Sequence, residues 1–177
     1  MNKYYLGVDL GSTTSKAVII NENDEIIGRG ITNTRANYKV AADIARQEAI
    51  YNARFNFLKR LLKDEIRIHP EYELYIKDIE SVFQYLQFKK RLDSLLEQMQ
   101  HTAANNFPEN IKQEVQNNIT DIFYSIEPSI RNDYITGDLG SKNQFFRDIV
   151  NEKYSEEVKK LNIDIFEPMM LVLDKSI

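Results

Sequence analysis

The spacing of the apolar residues changes at Tyr38, and that change constrains the fold more than any other feature of the chain. Before it lie three short runs, Tyr4–Val8, Lys16–Ile20 and Glu25–Thr32, separated by turn formers. Asn21-Glu22-Asn23-Asp24 is a polar cluster that predicts a hairpin between the second and third runs. Gly11-Ser12-Thr13-Thr14 separates the first two, so three consecutive antiparallel strands are expected. After Tyr38, residues Ile44, Tyr51, Phe55, Leu58 and Leu62 recur at steps of 7, 4, 3 and 4. This predicts a helix over 38–64, with Asn37 as its N-cap.

Pro70 then punctuates the chain, and a second helical stretch covers 71–99. Its stripe of Ile76, Ile79, Phe83 and Leu86 shifts to Leu92, Leu95, Leu96 and Met99, which predicts a bend or a change of packing partner near Lys89-Lys90. Residues 101–108 read as a loop. Ile111, Val115, Ile119, Ile122 and Ile126 mark a third helix ending before Pro128, and 129–140 read as irregular. Ser141 with Gln144 reads as the capping box of a fourth helix, whose face is Phe146, Ile149, Val150, Tyr154 and Val158. Met169–Leu173 reads as a last strand. No internal repeat and no low-complexity tract occurs.

Composition narrows the function classes. The chain has 177 residues, 42% of them apolar, which suits one domain or one domain with a large insertion. A net charge of −4 and a pI near 5.3, without a basic patch, argue against a nucleic-acid binder driven by phosphate contacts. No apolar run approaches the roughly 20 residues of a membrane span, and no signal-peptide core precedes Asp9. A soluble, cytoplasmic protein is the expectation. The chain holds no cysteine, which excludes disulfides, iron–sulfur ligation and thiol catalysis by its own residues. His69 and His101 are isolated and form no zinc pattern. The ten tyrosines and nine phenylalanines, at helical spacing, read as core rather than as a stacking platform.

The chemistry sits in Tyr5-Leu6-Gly7-Val8-Asp9-Leu10-Gly11-Ser12-Thr13-Thr14-Ser15-Lys16. A strand ends in a carboxylate, a glycine and three hydroxyl residues follow at once, and the next strand starts with Lys16. Such a turn suits a phosphate. A tight glycine turn brings backbone N–H groups close to the anion, and Ser12, Thr13 and Thr14 add hydroxyls. Asp9 repels a bare phosphate, but is accounted for if a Mg²⁺ lies between them, held through water. Lys16 supplies compensating charge. The same residues also spell an ordinary hairpin turn, and neither Gly-x-x-x-x-Gly-Lys-Ser/Thr nor Gly-x-Gly-x-x-Gly is present.

Asp9-Leu10-Gly11-Ser12-Thr13-Thr14 with its flanking strands resembles the first phosphate-binding hairpin of the acetate and sugar kinase, heat-shock chaperone and actin superfamily. Gly11–Val18 together with Gly28–Tyr38 resembles one branch of it: the ATPase subunits of benzoyl-CoA reductases and the ATP-driven activators of 2-hydroxyacyl-CoA dehydratases. Ala49–Phe55 and Phe145–Ile149 are similar to the benzoyl-CoA reductase type. The likeness is strong over 1–62, patchy over 63–140, and returns near 141–177.

The resemblance implies an α/β fold of ribonuclease-H-like, actin-like ATPase type: an N-terminal β-meander with its helix over 1–64, a mostly helical insertion over 65–162, and a return segment over 163–177. It implies an ATPase that couples ATP hydrolysis to low-potential electron transfer to an acyl-CoA reductase or dehydratase partner. It implies a homo- or hetero-dimer bridged by a [4Fe–4S] cluster. Asp9 would face the Mg²⁺, Gly11, Ser12 and Thr13 would contact the β- and γ-phosphates, and Thr14 and Lys16 would sit beside them. The sequence departs from that pattern in lacking the cluster cysteines, a second phosphate hairpin of Asp-x-Gly-Gly type and an adenosine-binding Gly-Gly segment. Asp138-Leu139-Gly140-Ser141 repeats the letters of Asp9–Ser12 without a preceding strand, and reads as a chance echo. The chain is therefore expected to be the N-terminal piece of a longer protein and inactive alone. Two alternatives stand beside this reading: a small-molecule kinase of the same superfamily, and a non-enzymatic helical interaction module.

Overall fold

The computed structural model describes residues 3–34, 38–136 and 145–177. Three strands, β1 (Tyr4–Leu10), β2 (Thr14–Asn21) and β3 (Ile26–Asn33), form an antiparallel sheet in the order β1-β2-β3. Mostly helical structure follows: α1 (Tyr38–Leu61), α2 (Lys63–Ile68), α3 (Glu71–Asn106), α4 (Glu109–Thr136), α5 (Phe146–Val158) and α6 (Ile163–Ser176). The chain divides into two compact units, Met1–Glu80 and Ser81–Ile177. None of the described helices is long and apolar enough to cross a membrane.

In the first unit the β2–β3 hairpin turns where the polar cluster predicts. Asn21 Oδ1 accepts the N–H groups of Asn23 (2.9 Å) and Glu25 (3.0 Å), an Asx-type closure. Asp24 takes the left-handed conformation, φ 61°, that short polar residues tolerate in turns. Ser15, Ala17 and Ile19 of β2 point to one face, and α1 lies on it.

The buried residues of α1 are Ala41, Ala45, Ala49 and Ala53, one per turn. Ile44, Tyr51, Phe55, Leu58 and Leu62, expected as the buried stripe, are all half-buried. The reason is the close approach of helix and sheet. A Cβ on Gly28 would stand 2.3 Å from the Ala49 carbonyl oxygen, and one on Gly30 would stand 2.1 Å from that of Ala45. Only small residues fit between two backbones this near, so the larger apolar side chains flank the contact. Phe57 is one of them and meets the Tyr4 ring edge-on at 5.5 Å. Asn37, the expected N-cap, lies outside the described residues.

The second unit closes around a larger core: Phe88, Leu92, Leu95, Met99 and Ala103 of α3, Val115 to Ile130 of α4, Ile149 to Val158 of α5, and Ile165, Met169, Val172 and Leu173 of α6. Of the faces expected for these two helices, Val115, Ile119, Ile122 and Ile126 and Ile149, Val150, Tyr154 and Val158 are buried, whereas Ile111 and Phe146 are half-buried. Four expectations differ. First, α3 continues through 101–106, because Ala103 is buried and Asn105 and Asn106 bond the carbonyls four residues back, at 2.9 and 2.8 Å. Its burial also changes before Lys89: Ile79 and Leu86 are exposed, and Tyr85 and Phe88 take over.

Second, α4 runs through Pro128 to Thr136. Proline inside a helix costs about 3 kcal/mol, yet Ile126 and Ile130 are both buried on the same face and hold the helix across it. Third, Met169–Leu173 is helix, not strand. A short apolar run reads the same either way, and the burial of Ile165, Met169, Val172 and Leu173 follows the helical period. Fourth, α5 begins at Phe146, with Asp148 Oδ2 accepting the Phe145 N–H at 3.3 Å. The expected cap at Ser141 with Gln144 lies outside the described residues, as does the Asp138–Ser141 echo.

Candidate functional site

The segment that holds the candidate site residues lies at one end of the β1–β2 hairpin. β1 stops at Leu10, β2 starts at Thr14, and Gly11, Ser12 and Thr13 make the connection. Gly11 donates its N–H to the Thr14 carbonyl at 3.1 Å, and a Cβ there would lie 2.8 Å from that same oxygen. The tight return therefore needs a residue without a side chain. The Thr13 carbonyl accepts the Thr34 N–H at 2.8 Å, and the Ser15 and Thr34 hydroxyls bond at 2.7 Å. These contacts pin the turn to the end of β3. The Ser12 and Thr13 N–H groups donate to no acceptor among the described residues.

Asp9 and Lys16 are partners across the ladder. Ser15 and Ala17 face α1, so alternation puts Asp9, Lys16 and Thr14 on the opposite, open face. Asp9, Ser12, Thr13 and Lys16 are exposed, and Gly11 and Thr14 are half-buried. Neither Asp9 nor Lys16 forms an ion pair among the described residues. One uncommitted carboxylate, one uncommitted ammonium, two free amides and two exposed hydroxyls thus converge on solvent. All six sequence-predicted residues fall in this one place. What sequence reasoning missed is the tether, Ser15 with Thr34, whose signal was the hydroxyl at an inward-facing strand position.

Among the described residues, no group of three or more His, Asp or Glu side chains could hold a metal ion. Asp9 is the only carboxylate of the turn, so its donor set suits a cation held mostly by other ligands, as Mg²⁺ is by phosphate oxygens and water. The chain offers no cysteine to an iron–sulfur cluster, so its residues do not fit that group.

The titration anomalies lie in the second unit. Burial, helped by a hydrogen bond to the Glu127 carboxylate, pushes the Tyr85 phenol up to about 12. Burial alone pushes Tyr154 further up. Both are locked into packing, Tyr85 and Phe88 against the Tyr134 ring and Tyr154 against Phe123, so they read as structural groups. Lys89 is raised by its hydrogen bond to Asp93. The His101 ring meets the Asn105 amide, at 3.1 Å from Nε2. The chain matches no protein-family model, no curated protein and no solved structure.

Proposed function

We propose that the Asp9–Lys16 hairpin is the first phosphate-binding element of an actin-like ATPase of the benzoyl-CoA reductase and 2-hydroxyacyl-CoA dehydratase activator type, with a ribonuclease-H-like fold. The observation that carries the reading is the convergence of uncommitted groups on one pinned, solvent-open turn. Two free N–H groups and the Ser12 and Thr13 hydroxyls suit phosphate oxygens, and Lys16 balances their charge. Asp9 would hold a Mg²⁺ through water, and the ion would supply charge neutralisation of the β- and γ-phosphates. The ATP-driven electron transfer to an acyl-CoA reductase or dehydratase belongs to that family reading as a whole. The second phosphate hairpin and the adenosine segment it needs are not in residues 1–177. A half-clamp of this kind holds nucleotide weakly and does not turn it over, because phosphoryl transfer needs charge stabilisation from both sides.

Equilibrium dialysis of the 177-residue chain against ATP, with and without Mg²⁺, tests this. The expected result is weak, Mg²⁺-dependent binding that Asp9→Ala abolishes and Lys16→Ala weakens. Binding indifferent to Mg²⁺ and to Asp9, or none at all, overturns the proposal. The second result would favour the helical interaction module, which draws on the exposed α3 stripe of Tyr75, Ile79, Val82 and Leu86 at steps of 4, 3 and 4.

A further inference from the structure

Behind the Gly11–Thr13 connection the sheet is polar where packing alone calls for apolar residues. Ser15, Ala17 and Ile19 of β2 face α1, and Ser15, the one nearest the turn, is fully buried. Its cross-strand partner Thr32 is buried as well. A hydroxyl inside a helix–sheet contact costs free energy unless it is bonded, and the Ser15 hydroxyl bonds that of Thr34 at 2.7 Å. Replacing both members of such a pair by apolar groups of the same shape can leave stability nearly unchanged, so packing does not call for the hydroxyls. What the pair adds is direction. It seats Thr34, one position past the end of β3, beside the turn. From that seat the Thr34 N–H reaches the Thr13 carbonyl at 2.8 Å and holds the Thr13–Thr14 peptide from outside the β1–β2 hairpin. Within the hairpin, the Gly11 N–H braces the Thr14 carbonyl at 3.1 Å. Ser12 and Thr13, whose amides meet no acceptor among the described residues, lie between these two braces.

We propose that Thr34 is a positioning residue for phosphate binding at this turn. Its hydroxyl, seated on Ser15, and its N–H, on Thr13, hold the Ser12 and Thr13 amides in the arrangement that receives the anion before the anion arrives. Thr34 itself touches no phosphate. A turn ordered in advance spends none of its binding free energy on ordering, so the effect falls on affinity. The inference rests on the reading of Asp9–Lys16 as a phosphate site and adds the residue that prepares it. Valine at position 34 keeps the β-branched shape and loses the hydroxyl, whereas serine keeps the hydroxyl. Because Ser15 and Thr34 act as one unit, removing either should weaken binding as much as removing both.

The test titrates the 177-residue chain and its variants with Mg·ATP, reads Kd from the Ser12 and Thr13 amide shifts, and follows thermal unfolding of each in parallel. Thr34→Val, Ser15→Ala and the double variant should each bind about tenfold more weakly than wild type, and Thr34→Ser should stay within about twofold. Thr34→Val leaves the Ser15 hydroxyl buried without its partner and should lower the unfolding midpoint. The double variant should recover the midpoint and not the affinity, a split that a merely structural pair would not show. Without nucleotide, the Ser12 and Thr13 amide order parameters should fall from about 0.85 to below about 0.6 in the double variant. Variants that bind as tightly as wild type, or an affinity that returns together with the midpoint in the double variant, overturn the proposal and leave the phosphate reading standing. A wild-type chain that does not bind Mg·ATP overturns both.

Discussion

The two compact units bury different kinds of residue, and the difference separates a thin helix–sheet contact built on small residues from a core that encloses large ones. In the first unit the contact between α1 and the sheet is made of Ala17, Ile19, Ile27, Ala45, Ala49 and Ala53 against Gly28 and Gly30. It is thin, and two backbones nearly touch. Its stability depends on the absence of side-chain volume. The opposite face of the sheet carries no described helix of the first unit, and Asp9 and Lys16 stand on it. In the second unit, large side chains such as Met99, Ile119, Tyr154 and Met169 are fully buried, and each contributes about 1.5–3 kcal/mol by leaving water. Polar side chains at its rim are tied up with one another, as in the Lys153–Asp133 pair at 2.8 Å.

The sharpest way to break the comparison is to add volume to the thin contact. Gly30→Val would drive side-chain atoms into the Ala45 carbonyl and should cost the first unit about 3 kcal/mol or more. Thermal unfolding followed by residue-resolved NMR should show the β-strand amides melting while those of α4 to α6 persist. The converse substitution removes volume from the thick core. Met169→Ala should cost the second unit about 2–5 kcal/mol by opening a cavity, with the hairpin amides unmoved. If either change melts both units together, their independence fails.

Alkaline pH sharpens the contrast further. The Tyr85 phenol is raised from 10.0 to about 12, so the folded state keeps a proton that the unfolded state gives up. The stability this provides is complete below pH 10 and is lost as pH rises through 12. Tyr154 acts in the same direction. Unfolding measured against pH should show the second unit weakening over that window, and Tyr85→Phe should flatten the slope. The smallest expected effect is that of Asp9→Ala. An exposed carboxylate without a partner should change the stability of the first unit by no more than about 0.5 kcal/mol, measured by urea unfolding.

The sequence made some of this legible and hid the rest for physical reasons. The hairpin at Asn21–Asp24 and the Asp9–Lys16 turn could be read because turn residues act locally. The faces of α4 and α5 could be read because large apolar residues mark a buried period. The buried face of α1 was missed because alanine carries almost no hydrophobic signal. The clue was relational: Gly28 and Gly30, two apart on a strand, matched to Ala45, Ala49 and Ala53, four apart on a helix. Loop-forming Asn105 and Asn106, and Pro128, misled because they report local preference, which packing of Ala103, Ile126 and Ile130 overrides. The Asp9 site was legible as composition, but the isolation of its charged groups appeared only in three dimensions.

The most direct test of the account is an amide-resolved NMR titration of the 177-residue chain with Mg·ATP. The account predicts shifts confined to Asp9–Lys16 and the tethered Thr34, absent in Asp9→Ala, with the amides of α4 to α6 silent throughout. Shifts centred in the helical unit, or a hairpin turn unmoved at saturating nucleotide, would contradict it.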